Sequence, residues 1–93
     1  MTEITIIFSH ALISATNNQR EIRVKGENLG EILNKLAKRY GNEFKKKLFD
    51  KEGKIKRFIN IYINGKDTRF LDGLETKLKK GDEILIIPAV SGG

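Results

Sequence analysis

Residues 81–93, GDEILIIPAVSGG, carry the reading on which the fold turns. Gly81-Asp82 follows a lysine pair as a tight turn, and residues 83–87, EILII, form a short and almost wholly aliphatic run. Such a run predicts a strand in the interior of a sheet. Pro88 has no backbone donor, so it ends the sheet pairing at that point. A small-residue tail follows and finishes on Gly92-Gly93. Residues 4–8, ITIIF, are comparably apolar and predict a strand buried on both faces. The two most apolar strands are expected at the centre of one sheet, adjacent to each other.

Working outward, residues 20–25, REIRVK, alternate and turn Ile22 and Val24 inward. If a first hairpin sets this strand on one side of the first, the last strand inserts on the other side, parallel to the first. The Ser-, Thr- and Asn-rich stretch from Ser9 to Gln19 reads as a loop. Leu29, Ile32, Leu33, Leu36, Ala37 and Tyr40 recur at helical spacing, with Asn28 as N-cap and Gly41 where a left-handed C-cap would sit. Phe44, Leu48 and Phe49 suggest a short further helical turn inside a basic loop that Gly53 ends. Residues 57–63, RFINIYI, alternate strictly, and Asn64-Gly65 is a hairpin signal leading to a short strand around Thr68 to Phe70. Leu71 to Leu78 reads as a turn of helix and loop. One helix covering one mixed sheet of four or five strands is an α+β arrangement, the β-grasp fold of ubiquitin. The expected organisation is a β-grasp domain over residues 1–88 and a flexible tail over residues 89–93.

Composition narrows the function classes. The chain has 93 residues, of which 39% are hydrophobic and 32% charged, and it has no cysteine. That describes one globular domain, excludes disulfides and thiol chemistry, and agrees with a reducing compartment. No basic leader precedes the first apolar run and no stretch approaches membrane-spanning length, so a cytoplasmic protein is expected. The formal charge of +6 rests mainly on lysines at Lys45 to Lys47, Lys54 to Arg57 and Lys77 to Lys80. Glutamates lie among them, and only Arg57 to Tyr62 mixes base with aromatic residues. Solvated loops and helix ends therefore account for the charge better than a nucleic-acid surface does; an acidic partner stays open, and nucleic-acid binding is kept as the remote reading. His10 stands without a cysteine or carboxylate cluster, so no metal site is expected. Ser9-His10 has no acidic third member, and the nine glycines show no phosphate-loop spacing. No catalytic residue is expected.

The segment RFINIYINGKDTRFLDGLETKLKKGDEILIIPAVSGG closely resembles the C-terminal third of the ThiS/MoaD family of ubiquitin-like sulfur carriers. The matching features are NIYxNxxDxR at Asn60 to Arg69, LxGLxTxLxxGDE at Leu71 to Glu83, and the IIPAVxGG ending; ENLGEILNKLAKRYG matches more loosely. The RFxNIYxN element resembles the CysO-like carriers of cysteine biosynthesis, and VSGG also ends MoaD-like molybdopterin synthase small subunits. Thiamine-pathway carriers rank last, being usually shorter and without a Phe44 to Lys56 insertion.

The resemblance gives the terminal glycines a task. A terminal carboxylate, with a pKa near about 3.5, is ionised at neutral pH and is a poor electrophile. The family resemblance implies that a ubiquitin-activating-type adenylyltransferase uses ATP to convert the Gly93 carboxylate to an acyl-adenylate, which becomes a thiocarboxylate. The chain itself would bind no cofactor. Glycine leaves the reacting carbonyl unshielded, and small Ala89 and Ser91 keep the tail Ala89, Val90, Ser91, Gly92 thin enough for a narrow active-site channel. The implied sulfur acceptors are a pyridoxal-phosphate cysteine synthase or the large subunit of molybdopterin synthase. The alternative reading is a protein modifier that joins Gly93 to target lysines by isopeptide bonds. Strand parity adds a docking face: if Ile59, Ile61, Ile63, Ile84 and Ile86 face the helix, Phe58, Tyr62, Leu85 and Ile87 are left on the open side of the sheet.

Overall fold

The structure is a computed structural model that describes residues 2–88. Met1 and the tail positions Ala89, Val90, Ser91, Gly92 and Gly93 lie outside the described residues. Strands β1 (Glu3–Phe8), β2 (Glu21–Lys25), β3 (Ile59–Ile63), β4 (Lys66–Asp67) and β5 (Glu83–Pro88) form one sheet in the order β2-β1-β5-β3-β4. Helices α1 (Leu29–Tyr40) and α2 (Asn42–Leu48) complete the regular structure, with one 3₁₀ segment between β1 and β2 and two between β4 and β5. β1 and β5 are neighbours and run parallel, while β2 and β3 flank them antiparallel. The sheet is thus mixed, with the two most apolar strands side by side at its centre, as their composition predicts.

α1 forms where its apolar stripe lies. Asn28 Oδ1 accepts from Glu31 N at 2.8 Å, and Glu31 Oε1 accepts from Glu27 N at 2.8 Å, so a reciprocal pair of side-chain bonds caps the start of the helix. Leu29, Ile32, Leu33 and Leu36 are buried against Ile4, Ile6, Ile61, Ile84 and Ile86. Each such side chain contributes about 1.5–3 kcal/mol on removal from water. α2 closes one end of this core with buried Phe44 and Leu48. Phe8, Tyr40 and Phe44 meet there with ring centroids 5.5–6.1 Å apart. Aromatic contacts of this separation favour edge-on or tilted rings over a face-to-face stack.

Four local expectations differ from the structure. Ser9 to Gln19 contains a 3₁₀ helix, His10–Thr16, because Leu12 and Ala15 bury their side chains and Thr16 Oγ1 donates to Gln19 O at 2.8 Å. Left-handed Asn17 and Asn18 end it. β1 is buried on one face only: Ile4, Ile6 and Phe8 are inside, whereas Thr5 and Ile7 are half-exposed because the helices cover a single side of the sheet. Gly41 has φ +81° with ψ −155°, so it is no left-handed helical cap. It ends α1 and starts α2 at once, extending the expected helical turn into a seven-residue helix. β4 lies at Lys66–Asp67 rather than at Thr68 to Phe70. Asn64 and Gly65 both have positive φ, so their tight hairpin pairs Ile63 with Lys66 immediately. Asp67 Oδ1 then accepts from Arg69 N at 2.9 Å and turns the chain into a 3₁₀ segment.

Candidate functional site

The site is built around the end of β5. Its start is held by the Gly81-Asp82 turn: Asp82 accepts from Lys79 N at 2.8 Å and from Asn64 Nδ2 at 2.8 Å, and Asn64 Oδ1 accepts from Glu83 N at 3.0 Å. Gly81, at φ +87°, supplies the backbone conformation that this turn needs. The strand then runs between β1 and β3. Pairing with β1 stops at Phe8 opposite Ile86, whereas pairing with β3 continues to Ile59 opposite Pro88. The chain therefore reaches Pro88 with strand pairing on one side only.

The motif residues around β3 secure that side. Arg69 Nη2 donates to Ile59 O at 2.8 Å and to Asn60 Oδ1, and Arg69 Nε lies 3.8 Å from Asp67 Oδ1. Asn60, Asp67 and Arg69 thus clamp the start of β3 to the segment after β4. Sequence reasoning recorded these positions as a motif and did not assign them this task.

The face of the sheet away from α1 carries Tyr62, Leu85 and Ile87, all half-buried. Tyr62 and Ile7 flank Leu85 across three adjacent strands, and Ile87 stands opposite Asn60. Ile7 joins this group without having been singled out, although its parity with Thr5 could have identified it. Phe58 does not join them. It lies before β3, is 47% exposed, and lines a separate cleft with Lys46 and Lys47 of α2, Lys56 and Pro88. Lys56 Nζ sits 5.8 Å from the Phe58 ring centroid. Gly93 and the preceding tail lie outside the described residues.

Among the described residues no group of three or more His, Asp or Glu side chains could hold a metal ion. Ser9 Oγ is buried without a hydrogen-bond partner among them, so it is not engaged by His10. Burial raises the Tyr40 phenol above its usual pKa, with the opposing pull of the Arg39 guanidinium smaller. That hydroxyl donates to Gln19 Oε1 at 2.6 Å, a structural contact between α1 and the segment before β2.

The ThiS family model matches residues 7–93, which takes in β5 and the tail. The chain belongs to the ThiS family. The sulfur carrier protein CysO of Mycobacterium tuberculosis is 36% identical over 92 residues, covering 97% of this chain and 98% of that one. In the crystal structure of the Amycolatopsis orientalis BexX/CysO complex, the matching chain is 37% identical with a TM-score of 0.84, covering 97% of this chain and 99% of that one. The solution structure of small archaeal modifier protein 1 from Methanosarcina acetivorans is 36% identical with a TM-score of 0.88, covering 100% and 98% of the two chains. The fold is the ubiquitin-like β-grasp. Like its relatives in the ThiS family, the protein is a sulfur carrier rather than a catalyst. No helix among the described residues is long and apolar enough to cross a membrane.

Proposed function

We propose that a ubiquitin-activating-type adenylyltransferase activates the C-terminal carboxylate of Gly93 and that the chain delivers sulfur from it in the cytoplasm. ATP is the co-substrate of that enzyme and binds to it, not to this protein. A carboxylate oxygen of Gly93 attacks the α-phosphorus of ATP and expels pyrophosphate. Hydrosulfide then attacks the adenylate carbonyl, the bond to AMP breaks and a proton is lost, and the resulting thiocarboxylate is the cargo. The observation that carries the reading is the one-sided end of β5: the chain reaches Pro88 paired only with β3, and the family match continues beyond it to Gly93.

Tyr62, Leu85 and Ile87 supply an apolar patch beside that strand end, suited to docking on the activating enzyme. The acceptor is a cysteine synthase-like enzyme or a molybdopterin synthase large subunit; the similarity to CysO favours the first. The likeness to a small archaeal modifier protein supports a second outcome of the same adenylate, attack by a target lysine to give an isopeptide bond. The test is ATP-dependent pyrophosphate release by the host's activating enzyme. It should require this protein and be lost when Gly92 and Gly93 are deleted, whereas release that persists with the truncated chain would refute the reading.

A further inference from the structure

A cleft of about 380 Å³ opens between α2 and the end of β5. Lys46, Lys47 and Lys56 stand around it, with Phe58, Ala11 and Pro88 as its apolar walls and Glu43 as the one carboxylate among the described residues. Among the described residues the three ammonium groups therefore outnumber the acid beside the end of β5. Lys56 is fixed there, because its Nζ donates to Lys46 O and lies over the Phe58 ring. Lys46 and Lys47 have no carboxylate partner among the described residues. Both lie in the last turn of α2, the end at which a helix dipole favours cations.

We propose that this lip binds an acidic segment of the activating enzyme. Carboxylates of the segment pair with Lys46 and Lys47, and an apolar side chain enters against Phe58 and Pro88. The proposal rests on the carrier reading above, and it assigns to α2 a contact separate from the open sheet face. The shape favours a protein over a nucleic acid. The cleft is short, concave and partly apolar rather than an extended basic track. Charges at the rim of an interface act mainly by steering encounter, so the signature is kinetic and falls with salt.

The experiment compares the full wild-type chain, Lys46→Glu/Lys47→Glu and Lys46→Arg/Lys47→Arg. Association with the host's activating enzyme is followed across a salt series, with pyrophosphate release measured in parallel. The acidic double variant should associate at least about tenfold more slowly at low salt and approach wild type at high salt, and the arginine pair should match wild type. A folded acidic variant that associates at the wild-type rate at every salt concentration overturns the proposal while leaving the carrier reading intact. No pyrophosphate release with the wild-type chain removes the carrier reading and this proposal with it. Retention of a duplex DNA or single-stranded RNA probe at physiological salt, lost in the acidic variant while enzyme association is unchanged, assigns the lysines to nucleic acid and overturns it as well.

Discussion

Asn28 shows how much a single side chain can decide. Its Oδ1 accepts the Glu31 amide while Glu31 reaches back to Glu27, so the first turn of α1 is closed on both sides. Asn28→Ala should lower stability by about 1 kcal/mol, read as a lower denaturant midpoint with an unchanged slope. Gly65 is a different case. Its φ of +83° comes with open space around a would-be Cβ, so Gly65→Ala costs backbone strain of about 1–2 kcal/mol and no clash. A loss several times larger would show that the turn is packed in a way the structure does not contain. Tyr40 links residue chemistry to pH. Its pKa is raised in the folded state, so its contribution to stability is complete below the unfolded value of about 10 and is lost as pH rises through the folded value. Alkaline unfolding curves should therefore steepen above pH of about 10 in wild type and less so in Tyr40→Phe.

The elements separate into those visible in the residue pattern and those set by contacts. α1, β2 and β3 follow hydrophobic periods of 3.6 or 2, and their faces are as those periods predict: Ile59, Ile61 and Ile63 inside, Tyr62 on the open face; β5 is marked instead by its aliphatic run. The segment His10–Thr16 has no such period, since its buried Leu12, Ala15 and Thr16 sit among Ser, Thr and Asn that usually mark loops. β4 is two residues long, and its place follows from the register imposed by Asn64-Gly65 rather than from any β-rich sequence. For the site, the strand end was legible because β5, Pro88 and the diglycine are contiguous. The α2 cleft was not, because Ala11, Lys46, Phe58 and Pro88 come from four distant segments. The open face makes a prediction at this scale. Ile87 is half-buried and paired to Asn60, so Ile87→Asp should leave the fold intact, with native circular dichroism, and weaken binding to the activating enzyme. A folded variant that binds unchanged would remove the sheet face from the docking account.

For the molecule as a whole, the core and the proposed carrier chemistry rest on different residues. Burial is concentrated between α1, α2 and one face of the sheet, while the proposed activated atom belongs to Gly93, beyond the last strand. Deleting Gly92-Gly93 should therefore leave the thermal midpoint within about a degree or two of wild type while abolishing pyrophosphate release. A markedly lower midpoint would mean that the terminal glycines are part of the folded core. The central claim concerns what the terminus carries in the cell, and the intact mass of the protein purified from its native host tests it most directly. The predicted result is a mass raised by exchange of one oxygen for sulfur, located to Gly93 by fragmentation. An unmodified chain under both sulfur-replete and sulfur-starved growth, with the activating enzyme present, would contradict the account.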